Sequence, residues 1–357
     1  MIRLFSGLVL LLGILYLTSC DNNPTQSVAP VPGPSFKGAF IVNEGNFTQG
    51  NASLSFFNAG AGLVVNNVFQ QANNAALGDV ANSMVVEDTL GYIVVNNSDK
   101  IEVISVNTYR RVRTITLPAG SSPRNMVLLG DGRAYVTELF NNAVLIINVN
   151  TGAVAGSIPV GPNPEGLLLI NDKVLVANSG FGSGHTVSVI STTANAVVDS
   201  IGVGDGPQWI EIDPQGGINV LCGGSFGADF STPDDDTPGG VWVLNAGNFA
   251  VTDSLVLPKG DHPSELTISQ GGSGYFLDNG TLTQYNTSTY KIVNSSVVKG
   301  TYYHVRVNDD TGTLYLLDAK DFVAPGELQI RDFNGNLLGS YTVGIIPGFV
   351  AFVNTGR

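Results

Sequence analysis

Pro164-Glu165-Gly166-Leu167-Leu168-Leu169 decides the reading of this chain, because versions of it return about every forty residues. Aligning the apolar triplet that begins three residues after the proline gives starts at Ala81, Pro123, Pro164, Pro207, Pro263, Tyr302 and Pro347. The spacings are 42, 41, 43, 56, 39 and 45 residues, the length of one four-stranded propeller blade. Between starts the chain reads as short β-rich runs divided by Gly, Asn and Asp, with no sustained helical period. An all-β fold of seven repeats follows, and helical solenoids are set aside.

The second strand of each repeat reads as Phe40 to Asn43, Ile93 to Asn96, Tyr135 to Glu138, Leu175 to Asn178, Asn219 to Cys222, Tyr275 to Asp278 and Tyr315 to Asp318. The first repeat therefore lacks an inner strand, while Phe349 to Val353 follows the last start with no blade after it. The C-terminal strand is expected to complete the first blade, which removes two open sheet edges. The expectation is a seven-bladed β-propeller of four-stranded antiparallel blades spanning residues 36–357.

The pattern Tyr135-Val136-Thr137-Glu138, with Asn or Asp usual at the fourth place, resembles the YVTN family of seven-bladed propellers. The runs Val42 to Phe47 and Ser53 to Phe57 also resemble a narrower group of bacterial propeller lipoproteins. Some members of that group capture cobalamin and pass it to an outer-membrane transporter. The resemblance implies a corrinoid ligand and a transporter partner here, although fold alone transfers no function.

Before the propeller, Arg3 precedes an apolar run from Leu4 to Leu17, then Leu17-Thr18-Ser19-Cys20. The run is short for a membrane span of roughly 20 residues and reads as a signal peptide over 1–19. Its end resembles the bacterial lipobox, which implies cleavage before Cys20 and acylation of that thiol. An uncleaved anchor or an ordinary secretory signal is the alternative. After the acylated Cys20, the fifteen residues Asp21 to Ser35, rich in Asn, Pro and Ser, complete a tether over 20–35 and reach about 45 Å at 3.1 Å per residue. The expected location is the bacterial envelope, with lipid anchoring to the outer membrane.

A net charge of −13 and pI near 4.5 oppose binding to nucleic acid. Cys222 is the one cysteine left after acylation of Cys20, and it reads as an inert core thiol.

Strand alternation puts the loops between strands two and three on one face with the connections entering each inner strand. Four long connections fall there: Glu44 to Asn51, Ser179 to His185, Gly223 to Gly240 and Ala319 to Gly326. Long loops on a rigid frame carry function. They hold Phe47, Phe181, Phe226, Phe230 and Phe322, joined by Phe140, with Trp209 and Tyr303 near inner-strand starts. Arg124, Glu165, Gln208, Glu265 and His304 follow the repeat starts and are the candidates for the mouth beside the axis. The column Asn43, Asn96, Glu138, Asn178, Cys222, Asp278 and Asp318 reads either as a polar ring or as caps on local turns. Asp229 and Asp234 to Asp236 read as a solvated acidic loop or a calcium site.

For enzymes, His185, His262 and His304 share the face but give no zinc spacing. The expected role is a non-catalytic binding propeller without a resident cofactor. A protein- or glycan-binding scaffold of the envelope, and then a propeller lyase or hydrolase, are the alternatives.

Overall fold

Strands in this chain form where two or three β-branched or aromatic residues alternate toward two opposite neighbours, and they stop at Asn-, Asp- and Gly-bearing turns. In the computed structural model, which describes residues 36–228 and 233–354, these strands build seven four-stranded antiparallel sheets. Six sheets are consecutive in sequence, with their strands ordered from the axis outward. The seventh joins the two ends of the fold: Pro347–Asn354 lies innermost, followed by Phe36–Asn43, Ser53–Asn58 and Leu63–Val65. Its register sets Phe40 opposite Ala351 and Ile41 opposite Val350. The closure expected from the missing first strand is thus present, and Pro347–Asn354 supplies it.

The inner strands Ala81–Glu87, Pro123–Leu128, Pro164–Ile170, Pro207–Ile212, Pro263–Ile268, His304–Asn308 and Pro347–Asn354 each touch the inner strands of both neighbours, which closes the ring. Alternation along the middle strands explains how adjacent blades hold together. In Lys173–Asn178, Val174 and Val176 face the preceding blade, where Tyr135, Val144 and Ile158 are buried. Leu175 and Ala177 face the following blade with Ile210, Val220 and Cys222. Each pair of adjacent blades encloses such an apolar cluster. The outermost strands, such as Ala196–Gly202 and Val251–Val256, are largely exposed.

One element departs from the expected pattern. The outer strand of the first blade is cut to Leu63–Val65 and followed by a short helix, Val68–Asn73. The helix buries Val68 and Phe69 in the cluster between the first and second blades, beside Phe40, Phe56 and Leu77. Two apolar side chains in fewer than two helical turns leave too little periodicity to register in sequence.

On one face the strands turn tightly. Gly130 and Gly132 adopt positive φ, and the Asn148 side chain accepts the backbone N–H groups of Asn150 and Thr151 at 3.0 Å. The opposite face carries the long connections.

Candidate functional site

The side chains at the axis are placed by irregularities at the beginning of the inner strands. Six of the seven inner strands open with a register shift against their second strand. The residues skipped by the pairing are Asn82, Arg124 and Asn125, Glu165 and Gly166, Gln208, Glu265, and Gly348. A bulge releases a residue from the ladder and re-aims its side chain. Glu265 takes φ of 56°, a left-handed conformation uncommon for a non-glycine residue. Neighbouring openings are stitched to each other: Ser83 Oγ donates to Arg124 O at 2.8 Å, and Thr137 Oγ1 donates to Glu165 O at 3.0 Å.

The released side chains line a funnel of about 180 Å³ on the long-loop face. Arg124 Nε donates to Glu165 Oε2 at 2.8 Å, an ion pair between adjacent blades. Gln208, Trp209 and Tyr303 complete the wall with Glu44 and Phe349. Glu44 enters from the loop after Phe36–Asn43 and lies where the first blade has only Gly348. A Cβ on residue 348 would stand 2.3 Å from Glu44 Oε1. The Tyr303 hydroxyl faces both Glu44 oxygens, at 3.3 and 3.4 Å. Burial raises the Glu44 carboxyl from its ordinary 4.5 to about 7; Arg124 and the Tyr303 hydrogen bond pull it down, and Glu265 pushes it up. Burial, then the Glu44 charge, raises the Tyr303 phenol.

Beneath this ring an aromatic layer crosses the axis. Trp209 and Phe349 stack at 6.4 Å with 16° between planes, and the His304 ring lies 5.4 Å from Phe349 and 6.0 Å from Trp209. His304 is buried; its Nδ1 bonds Glu265 Oε2, and its Nε2 has no partner. Below lies a second cavity of about 610 Å³, walled by Met84, Met126, Leu168 and Ile210 and crossed by the Glu211–Arg306 ion pair. Trp209, Phe349 and Asn125 border both cavities, so this layer stands between them.

Around the mouth the loops expose phenylalanines. Phe47, Phe140, Phe181, Phe226 and Phe322 are each between 41% and 69% exposed, and each sits between the second and third strands of a different blade. Phe181 and Phe322 have φ of 50° and 62°. A bulky residue held there reflects a loop that fixes the ring's position at some cost. Phe140 and Phe181 stand 6.1 Å apart, Phe322 meets Tyr303 edge-on at 5.5 Å, and Phe226 stacks on His262 at 3.8 Å.

Of the residues singled out in the sequence, Arg124, Glu165, Gln208, Trp209 and Tyr303 share the funnel. His304 lies just beneath it, and Phe47, Phe140, Phe181 and Phe226 lie on the loops around it. Cys20, Asp229 and Phe230 lie outside the described residues. Glu44, Asn82 and Phe349 belong to the funnel and were not picked out in sequence. Glu44 carried a signal only in the gap it fills, since Gly348 is the one repeat opening without a side chain at that place.

The polar column at the ends of the second strands does not line the funnel. Asn43 and Asn178 reach across to their own third strands, and Asn96 donates to Pro123 O. Cys222 is fully buried, and burial pushes its thiol up. Asp236 is buried against His262 at 3.0 Å. Among the described residues no three His, Cys, Asp or Glu side chains stand close enough to hold a metal ion. The three histidines do not converge: His185 is exposed, His262 bridges Gly223 O and Asp236, and His304 pairs with Glu265.

A family model described as a domain of unknown function, DUF5074, matches residues 37–216, half of the chain. The chain belongs to the DUF5074 family. The matched region covers the first four blades apart from their closing C-terminal strand, and the inner strand of the fifth. A curated relative, the seven-bladed beta-propeller protein Rv1057 of Mycobacterium tuberculosis, is 28% identical over 134 residues, which is 36% of this chain and 34% of that protein. The chain thus matches about a third of the length of that relative. Among solved structures, a functionally unknown protein from Desulfotomaculum acetoxidans aligns with TM-score 0.66 at 13% identity, over 90% of this chain and 100% of that one. A quinoprotein alcohol dehydrogenase-like protein from Bacteroides thetaiotaomicron gives 0.65 at 13%, over 90% and 79%. Hydrazine synthase of Kuenenia stuttgartiensis gives 0.62 at 15%, over 77% and 96%. At these identities the structures share the fold with this DUF5074 chain and nothing more.

Proposed function

We propose that this chain is a non-catalytic binding propeller, held in the bacterial envelope by a lipid on Cys20, that captures a large, partly apolar ligand on its long-loop face. The leading ligand is a corrinoid such as cobalamin, handed on to an outer-membrane transporter. The observation that carries this reading is the set of five exposed phenylalanines, on five different blades, around a polar funnel. Water-exposed rings fixed on a rigid frame supply contact area with little ordering cost on binding. The polar floor then fixes orientation, as in most small-molecule sites. The ligand and the partner come from the resemblance to propeller lipoproteins, and the site from the geometry.

The test is direct. The chain is mixed with cobalamin and desalted while absorbance is followed in the corrin bands. Co-elution that is lost in Phe181→Ala and Trp209→Ala supports the reading. Clean separation rejects the corrinoid and leaves the second reading, a glycan or protein partner bound by the same exposed rings. Turnover abolished by changes at His185, His262 or His304 would instead assign an enzyme.

A further inference from the structure

The funnel floor is unbalanced both in charge and in hydrogen-bond type. Three carboxylates, Glu44, Glu165 and Glu265, line it with a single guanidinium, Arg124. Glu165 already holds Arg124 at 2.8 Å, and Glu265 is taken by His304. Glu44 is left with the Tyr303 hydroxyl alone, at 3.3 and 3.4 Å. One hydroxyl proton cannot satisfy two oxygens with about four acceptor sites between them. Asn82 adds a further unmet acceptor on the same wall, since its Oδ1 is buried without a partner. Carbon surfaces complete the enclosure: Trp209, Tyr303 and Phe349 border the cavity.

We propose that the funnel binds a small organic cation, a protonated alkylamine, with its N–H donors on Glu44 and Asn82 and its carbon atoms against the aromatic walls. A cation answers each unmet feature at once. It supplies donors where acceptors lack them, compensates a carboxylate that is poorly solvated, and meets the negative faces of the rings. A bare metal ion does not fit as well, because the described carboxylates are too dispersed to ligate one together. A volume of about 180 Å³ admits a short amine rather than a polyamine chain. The site lies in the funnel inside the phenylalanine rim, and amine binding is read separately from corrinoid capture.

Binding carries a proton signature. The groups that face Glu44 are Arg124, Tyr303 and Glu265, with Glu165 and His304 one step behind them. With its carboxyl near 7, Glu44 is mostly protonated at pH 6, and a cation that selects the ionised form expels that proton. Affinity therefore tightens as pH rises from 6 toward 8.

The experiment titrates the full chain with n-butylammonium, with 1-butanol as the neutral isostere and with butyrate as the anion, reading fluorescence of Trp209 against Trp242. The ammonium is expected to bind about tenfold more tightly than the alcohol, with butyrate weakest. Glu44→Gln, which keeps the shape of the side chain, removes the preference. Equal affinity for amine and alcohol, tighter binding of butyrate, absence of amine binding, or an unchanged preference in Glu44→Gln would each overturn the proposal. Should Glu44→Gln fail to fold, calorimetry of the unaltered chain at pH 6 in two buffers of different ionisation enthalpy decides: release of close to one proton per amine supports it, and no release overturns it. Corrinoid co-elution without amine binding would sink this site while leaving the rim intact.

Discussion

Replacing Glu44 with glutamine should change how stability depends on pH. The acid is ordinary in the unfolded chain, at 4.5, and is held to about 7 in the fold by burial. Between those values the unfolded chain has released its proton while the folded one keeps it. The folded state then binds more protons, so stability falls as pH rises through this window, by up to about 1.4 kcal/mol per pH unit for this one group. The stabilisation is fully present below pH 4.5 and lost by the time pH passes 7, about 3 kcal/mol in all. Glu44→Gln retains an acceptor for the Tyr303 hydroxyl and cannot ionise. Urea denaturation of both proteins at half-unit steps from pH 4 to pH 8.5 isolates the effect, because groups common to both, such as the raised Asp278, cancel in the difference. The variant should gain on the parent by about 3 kcal/mol from the acid to the alkaline end. A difference flat across the series would show that Glu44 titrates normally, and the account of the funnel as a poorly solvated acid site would be wrong.

Three further outcomes follow from the frame. Gly166→Ala places a Cβ 2.5 Å from the Gln208 carbonyl oxygen of the next inner strand, and should cost about 1–3 kcal/mol in denaturant unfolding; a neutral result would mean that adjacent inner strands separate freely. Deleting the chain from Pro347 onward strips the partner from Phe36–Asn43, and size-exclusion chromatography should show aggregation through the bared edge. Cys222 should resist a thiol reagent at pH 8 in the native protein and react once denatured, because it is fully buried with its thiol pushed up.

The fold was readable because its signals are local and repeated. Strand alternation needs only residue type, so the second strands end within a residue of expectation while starting two to four residues earlier, as Lys173–Asn178 and Phe36–Asn43 do, and the missing first strand forced Pro347–Asn354 into the first blade. The helix Val68–Asn73 escaped because six residues cannot display a helical period. At the site, Arg124, Glu165, Gln208 and Trp209 were accessible through their place in the repeat, which the bulges convert into a position on the axis. Glu44 was not, since it reaches the funnel from a loop of another strand and is out of phase with the repeat. Its burial, and the bond between His304 and Glu265, depend on distances across blades that no local pattern encodes.

The bulged openings have a consequence for how such a site diversifies. The bulged residues themselves belong to none of the inter-blade clusters, so one or two side chains per blade are excused from holding the ring together. Asn82, Arg124, Glu165, Gln208 and Glu265 therefore behave as separate letters of a short word written around the axis. Letters can be exchanged without rewriting the apolar packing between blades, Arg124 and Glu165 together because they are paired, and Gly348 is a blank whose letter is supplied from elsewhere. Chains with the same ring of blades are free to spell different ligands there while their scaffolds stay superimposable.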